Sequence, residues 1–83
     1  MFYVYLLELN RPKDKYYIGY SSDLKRRIAE HQSGLVESTK NHKPIKLVYY
    51  EAFEKDELAR KREMSLKSSE SSYMGLMKRL KIK

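Results

Sequence analysis

The sequence predicts a small α+β domain in which a three-stranded antiparallel sheet is flanked by helices in the order β-β-α-β-α-α. Short stretches rich in aromatic and β-branched residues indicate the strands. Apolar residues at spacings of three and four indicate helices that each turn one face towards the sheet. The 83 residues suffice for one modest core, so we expect a single domain over residues 1–83.

Three segments have the composition of strands. Phe2–Leu9 is apolar on both alternating faces except at Glu8, which is typical of a central strand covered on both sides. Residues 10–15 contain a proline and predict a turn, so residues 16–20 should pair with the first strand as an antiparallel hairpin. Residues 45–52, rich in Val and Tyr, predict the third strand.

The second strand and the helix after it have two unusual features, a glycine in the strand and basic residues on the apolar face of the helix. Gly19 near the strand's end indicates a bulge, or a point where another backbone or a ligand comes close. Residues 21–23 form a helix-capping signal, and Gly34 marks the end of a helix predicted over residues 22–32. One face of this helix carries four residues: Leu24, Arg27, Ile28 and His31. Half of the expected core stripe is therefore basic.

The remaining segments predict one loop and two helices. Residues 35–44 are polar and basic, and they indicate either a solvated connection or a phosphate-contacting arm. A second helix is predicted from about residue 55 to residue 67, with acids in its first turn. Its inward stripe consists of Leu58, Ala59, Arg62 and Leu66. Residues 68–72 are a serine-rich break or cap. The third helix closes the core with Tyr73, Leu76, Met77 and Leu80.

Composition narrows the classes of function. Without cysteine, neither a disulfide framework nor a thiolate metal site can form. The sequence has no apolar run of about 20 residues and no signal peptide, so we expect a cytoplasmic protein without membrane contact. A net charge of +7 with eight tyrosines suits a polyanion, nucleic acid before membrane, although many small basic proteins bind nothing in particular.

The available side chains also limit the chemistry. The sequence has no Walker loop, no dinucleotide fingerprint and no spaced Cys/His set. Tyrosines, arginines and a few acids are poorly suited to acyl transfer. They suit phosphoryl chemistry, in which positioning and charge stabilisation supply most of the catalysis.

Several motifs resemble the GIY-YIG endonuclease family. They are Tyr3-Val4-Tyr5, then Tyr17-Ile18-Gly19, and then residues 23–28 with His31. Residues 38–51 and 59–67 are similar to its small stand-alone bacterial members, which are related to the nuclease domain of the nucleotide-excision-repair protein. The resemblance implies a metal-dependent endonuclease that hydrolyses phosphodiester bonds in DNA. It also suggests structure-selective cleavage and a link to repair or recombination.

The resemblance implies a role for each of five residues. Tyr17 matches the tyrosine that activates the attacking water, and Tyr5 matches its partner in the first motif. Arg27 matches the arginine that holds the scissile phosphate, and His31 the assisting residue. Glu63 matches the glutamate that holds one Mg²⁺ or Mn²⁺ ion. Each residue alone also has an ordinary structural interpretation, as a core aromatic, a helix-end cation or a surface ion pair.

We expect a second group of residues to contact nucleic acid: Tyr20, Lys40, His42 and Lys43. The chain departs from the family pattern in having Tyr3 in place of glycine and no Asn after Glu63. We also expect no appended DNA-binding domain, which leaves three outcomes open: weak cleavage, structure-selective cleavage, or cleavage that depends on a protein partner. Two alternatives remain open: a nucleic-acid-binding module of this fold without significant catalysis, and a structural or protein-binding domain.

Overall fold

A three-stranded antiparallel sheet forms the centre of the computed structural model, which describes residues 1–10 and 15–82. Its strands are β1 (Phe2–Leu9), β2 (Lys15–Ser21) and β3 (Ile45–Phe53), and its helices are α1 (Leu24–Gln32), α2 (Asp56–Ser68) and α3 (Glu70–Arg79). The strand order β2-β1-β3 places the first strand in the middle. The α+β class, the antiparallel sheet and the order β-β-α-β-α-α are confirmed.

The central strand is buried on both faces because its alternate side chains enter two separate cores. On one face Val4 and Leu6 pack with Ala59 of α2 and with Leu76 and Met77 of α3. The other face packs against α1 with a second set: Tyr5, Leu7, Leu9, Tyr17, Leu24 and Ile28. This double burial is what the apolar pattern of Phe2–Leu9 predicts.

The ends of α1 follow from local hydrogen bonding. Asp23 is the N-cap, and its Oδ1 accepts from the backbone N–H of Arg26 at 3.1 Å. The helix therefore begins two residues later than predicted, and its acid is the cap itself instead of a first-turn residue. Gly34 adopts a φ of +78°, the left-handed conformation expected beyond a helix end.

Other predicted boundaries also shift. The helix predicted around Tyr73 begins earlier, at Glu70, and the serine-rich segment supplies its cap, because Ser69 Oγ accepts from the N–H of Ser72. In α2 the side chain of Leu58 is 46% exposed, so its assignment to the inward stripe is wrong. Ala59 and Leu66 fill that stripe. The strands β2 and β3 extend slightly beyond their predicted ends.

Two predictions about connections have different outcomes. The turn predicted at residues 10–15 lies largely outside the described residues, which omit 11–14. Residues 35–44 form the predicted connection, but two of its side chains, Val36 and Thr39, are buried. No helix among residues 1–10 and 15–82 has the length and apolarity needed to cross a membrane.

Candidate functional site

A buried tyrosine–histidine pair forms the base of the candidate site. Tyr5 comes from the central strand and His31 from the last turn of α1, and both are almost completely buried. The Tyr5 hydroxyl lies 2.8 Å from Nε2 of His31. The two rings meet edge to face with centroids 5.5 Å apart. His31, one of the two basic residues in the apolar stripe of α1, is therefore the hydrogen-bond partner of a core tyrosine.

Thr39 completes this buried chain of hydrogen bonds. Its Oγ1 lies 2.7 Å from Nδ1 of His31, so both ring nitrogens have partners. A neutral imidazole has one N–H donor and one acceptor nitrogen. When the proton is on Nδ1, His31 donates to Thr39 and the Tyr5 hydroxyl donates to Nε2. Thr39 therefore fixes the orientation of His31, while the hydroxyls of Tyr5 and Thr39 can each donate or accept and so serve either tautomer.

Burial sets the protonation states of the pair. It raises the pKa of Tyr5 to about 12, with the nearby guanidinium of Arg27 opposing the shift and the charge of Glu63 adding to it. Burial also lowers the pKa of His31, and the positive charge of Arg27 lowers it further. Tyr5 is therefore a neutral phenol and His31 a neutral imidazole at physiological pH.

Tyr17 is the half-buried member of the aromatic cluster, whereas Tyr5 and His31 are buried. It shares the α1 face of the sheet with Tyr5, although in register it stands opposite Leu7. Its ring contacts that of His31 edge to face with centroids 5.3 Å apart. Its hydroxyl accepts from Ser38 Oγ at 3.3 Å. Tyr5 and Tyr17 therefore lie on one face of the sheet, and His31 contacts both rings.

Gly19 is what allows the Tyr5 ring to reach His31. It stands opposite Tyr5 in the β1–β2 register. A Cβ atom built on Gly19 would overlap Cζ and Oη of the Tyr5 ring. The glycine therefore makes room for a side chain, and not for the bulge, backbone or ligand that the sequence indicated.

Arg27 lies beside this cluster, one turn before His31. Its Nη1 donates to Glu30 Oε1 at 3.0 Å, and its side chain is 36% exposed. The hydrogen bond to Glu30 raises the pKa of Arg27, and the neighbouring Tyr5 adds to the shift. A permanent positive charge thus stands next to the Tyr5 hydroxyl and remains open to solvent.

Glu63 approaches the cluster from α2. Its carboxylate accepts from Lys67 Nζ at 3.1 Å, and that ammonium lies 5.9 Å from the centroid of the Tyr17 ring. The charge of Glu63 reaches Tyr5, whose pKa it raises. Although α2 packs on the other face of the sheet, its side chains therefore meet the cluster at the β2 edge.

The protein oxygen atoms at the cluster could supply only part of the coordination shell of a hard divalent cation. Among the described residues there is no group of three His, Cys, Asp or Glu side chains that could hold a metal. A single carboxylate fits the way Mg²⁺ is bound through one or two carboxylates, with water and substrate phosphate completing the octahedron. Glu63 could hold such an ion once its pairing with Lys67 loosens.

The predicted nucleic-acid contacts do not gather at the cluster. Tyr20 points to the opposite face of the sheet, where it donates to Asp56 and lies under the guanidinium of Arg60. Lys40 pairs with Glu37 at 3.1 Å, while Lys43 is exposed at the end of the same loop.

His42 of that loop is half-buried, and its carbonyl accepts from the N–H of Asn10. Strand alternation alone could have excluded Tyr20 from the cluster, because it lies three residues from Tyr17. The surface pairing weighed for Glu63 in the sequence is present, with Lys67 as its partner. Sequence reasoning missed three other partners at the site: Glu30, Ser38 and Thr39. For Glu30 the helical spacing to Arg27 was an available signal. Nothing local marks Thr39, since its partner is contributed by another element.

This combination of fold and site defines a class of protein. The GIY-YIG catalytic domain model matches residues 1–78, and the chain belongs to the GIY-YIG family. That domain points to a nuclease, a hydrolase that acts on nucleic acid.

The similar proteins are small stand-alone members named UPF0213. One from Listeria welshimeri is 38% identical over 66 residues, covering 78% of this chain and 71% of the relative. Another, from Streptococcus pneumoniae, is 41% identical over 66 residues, covering 78% of this chain and 65% of the relative. The solution NMR structure of the UPF0213 protein BH0048 from Bacillus halodurans matches with a TM-score of 0.59 and 34% identity, over 94% of this chain and 84% of that one.

Proposed function

We propose that the protein is a divalent-metal-dependent endonuclease that hydrolyses phosphodiester bonds in DNA. The observation that carries the proposal is the convergence of Tyr5, Tyr17, Arg27, His31 and Glu63, which come from four different elements. Three of them keep a surface open to a substrate, and the two buried ones hold the others in place.

Arg27 is the group that binds the scissile phosphate in this proposal. Its charge is permanent, and a guanidinium matches phosphate oxygens in a bidentate geometry. Its present partner is Glu30, in a pair that is partly exposed and therefore weak. A phosphate can replace that carboxylate, after which the guanidinium meets the negative charge that grows in the transition state.

In this proposal Tyr17 orients the attacking water and, once its hydroxyl has lost its own proton to solvent, accepts a proton from that water. Its hydroxyl is held by Ser38 and its ring by His31, so its position is defined before substrate arrives. Tyr5, with its pKa near 12, stays protonated and donates hydrogen bonds. His31 is fully buried, and we assign it a positioning role behind the two tyrosines.

Glu63 is the residue that would hold the Mg²⁺ or Mn²⁺ ion. When bound, the cation would supply positive charge to the phosphate and lower the pKa of a coordinated water. Lys67 neutralises Glu63 in the structure, and the substrate phosphate would attract this ammonium when the carboxylate takes another partner.

The same proposal includes the substrate, the cellular compartment and a protein partner. A net charge of +7 favours DNA, and Lys40 and Lys43 of the basic loop, with His42 between them, would contact the DNA backbone, to which the two lysines bring positive charge. We place the activity in the cytoplasm, in repair or recombination of branched DNA, with a protein partner that contributes specificity.

A second candidate has one observation in its favour. Arg27 and Glu63 both have ion-pair partners within the protein. These pairs suit a nucleic-acid-binding module of this fold without significant catalysis, in which both residues stabilise helices.

Cleavage by two neighbouring arginine variants separates the candidates. Branched, single-stranded and duplex DNA are incubated with Mg²⁺, Mn²⁺ or EDTA. We expect Arg27→Ala to lower the rate about 10²–10³-fold, as for a lost electrostatic donor. Arg26→Ala is the matched control, since its side chain is 64% exposed and also pairs with Glu30. Equal rates for both variants would refute the phosphate-binding role of Arg27. Cleavage in EDTA would refute the metal dependence.

A further inference from the structure

The helix α2 carries a row of charged side chains along β2, and Arg60, within this row, has no role in the chemistry proposed above. The charged row consists of Asp56, Arg60, Glu63 and Lys67, which follow one another at spacings of four, three and four residues. Residues at such spacings share one face of a helix. Because β2 is an edge strand, the charged row follows one border of the sheet.

The two cations of the charged row each lie against a tyrosine ring of β2. The guanidinium carbon of Arg60 is 4.5 Å from the centroid of the Tyr20 ring. The ammonium of Lys67 is 5.9 Å from the centroid of the Tyr17 ring. Residue numbers therefore rise along α2 and fall along β2, so the helix runs antiparallel to the strand. Since Tyr17 belongs to the candidate site, the row begins at that site and continues beyond it to Tyr20.

Arg60 is held in place and yet remains accessible to solvent. Its Nε donates to Asp56 Oδ2 at 2.9 Å, and Tyr20 donates to the other oxygen of the same carboxylate. A guanidinium has five N–H donors, so this bond leaves donors for another ligand. The side chain is 62% exposed, and exposed ion pairs of this kind are weak. The guanidinium is therefore oriented in advance for an oxyanion from solvent.

Lys67 stands at the other end of the row, beyond Glu63. Its Nζ pairs with Glu63 at 3.1 Å, and its side chain is 49% exposed. Seven residues of α-helix span about 10.5 Å, and each strand of B-DNA has one phosphate per about 3.4 Å of axis. A DNA strand that follows α2 therefore has about three phosphate steps between Arg60 and Lys67, with the phosphate at Glu63 between them.

The charged row suits a phosphate backbone in spite of its two carboxylates. Asp56 is bound by Arg60 and Tyr20, so its charge is neutralised within the protein. Glu63 is paired with Lys67 until a divalent cation takes the carboxylate. The charges of the row therefore balance without a cation, and a cation would make the row positive. Phosphate oxygens accept from both kinds of basic side chain, and a planar guanidinium matches them in a bidentate geometry.

We propose that the charged row of α2 binds the sugar-phosphate backbone of the DNA strand on both sides of the scissile phosphate, with Arg60 on one side and Lys67 on the other. This proposal rests on the proposed nuclease function and identifies the path of the substrate strand, which runs along α2 and the β2 edge. Tyr20 serves the contact indirectly, as the ring on which Arg60 lies. Because phosphate contacts carry no sequence information, the row binds DNA of any base sequence.

DNA binding in EDTA tests the charged row without relying on cleavage. Fluorescence anisotropy of labelled duplexes of two unrelated sequences is measured over a salt series that starts at about 50 mM. Arg60→Gln and Lys67→Gln each remove one positive charge and keep a good helix former. Arg79→Gln is the matched control, because its side chain is 63% exposed and contacts Tyr49 of β3, at the opposite edge of the sheet.

We expect Arg60→Gln and Lys67→Gln each to bind both duplexes about 3- to 30-fold more weakly. Each should also flatten the slope of log affinity against log salt by about 0.9, the loss of one phosphate contact. Arg60→Lys, which keeps the charge, should retain the native slope, and Arg79→Gln should retain it too.

A native slope in either Arg60→Gln or Lys67→Gln would overturn the charged row as a binding site and leave the nuclease function standing. A slope lowered equally by Arg79→Gln would also overturn it, since only the net charge would then matter. Melting curves of each variant confirm that the protein is folded. The nuclease function fails separately, if the native protein binds the duplexes but cleaves no DNA with Mg²⁺ or Mn²⁺.

Discussion

At the scale of single residues, the candidate site depends on a tyrosine that the protein keeps neutral and fixed. The Tyr5 hydroxyl meets His31, and Thr39 holds the other side of the imidazole. Helix periodicity predicts that Arg27 and His31 share a face of α1, and the family resemblance groups Tyr5 and Tyr17 with them. Periodicity cannot predict that Thr39 of an irregular loop is the buried partner, because that contact depends on tertiary packing.

Gly19→Ala should damage the site through a single added methyl group. The new Cβ would overlap the Tyr5 ring, so either the ring or the strand must move and the bond to His31 is lost. We expect a loss of about 1–3 kcal/mol in the free energy of unfolding, as for overpacked cores, together with a lower cleavage rate.

Gly75→Ala is the matched control for this substitution. Gly75 lies in α3, and an added Cβ there has no atom within 4 Å. Since alanine is the better helix former, this variant should gain about 0.5–1 kcal/mol. Equal stability of the two variants in urea unfolding would contradict the role given to Gly19.

The buried imidazole should make stability depend on pH. Because burial lowers the pKa of His31 below its ordinary value of 6.5, the unfolded chain binds the proton more tightly than the folded one. The free energy of unfolding should therefore fall as the pH drops from 7 to 5, by at most about 1.4 kcal/mol per pH unit from this group. NMR titration of the His31 ring checks the cause, and a midpoint at or above 6.5 would exclude it.

At the scale of elements, the sequence predicts the strands and helices but not the details that shape the surfaces. Apolar alternation indicates a central first strand, and helical spacing indicates all three helices. The register shift between β1 and β3 at Leu6 and Leu7 has no signal in β3, because residues 47–50, where it falls, are apolar or aromatic on both faces. The start of α3 within a run of serines was equally hidden, since serine favours caps and turns as readily as helix starts.

The connection after α1 should matter to stability more than an exposed loop does. Thr39→Val keeps the shape of the side chain but leaves Nδ1 of buried His31 without its partner. We expect a cost of about 1–3 kcal/mol for the unsatisfied group. Ser38→Ala, an exposed neighbour, should change stability by less than about 0.5 kcal/mol. If thermal melting shows no difference between the two variants, residues 35–44 are only a solvated connection.

At the scale of the whole molecule, a small basic domain combines a rigid aromatic cluster with charges at its rim. The cluster residues are held by hydrogen bonds that exist before substrate arrives, as preorganised catalysis requires. Arg27 and Glu63 are instead paired with Glu30 and Lys67 in partly exposed ion pairs. Such pairs contribute little to stability, so substrate and cation can replace them at small cost.

The most direct measurement compares Glu63→Gln with Glu57→Gln in melting, DNA binding and cleavage on one set of preparations. Glutamine forms helices about as well as glutamate. Loss of the Lys67 pair should therefore cost only a few tenths of a kcal/mol. DNA binding in EDTA should persist or tighten slightly, because a negative charge near the phosphate is gone.

Cleavage by Glu63→Gln should fall about 100-fold or more and recover little with added Mg²⁺, since the cation has lost its charged ligand. Glu57→Gln, an exposed position on the same helix, should cleave at the native rate. A Glu63→Gln protein that retains native, Mg²⁺-dependent cleavage would contradict the assignment of Glu63 and, with it, the proposed metal-dependent mechanism.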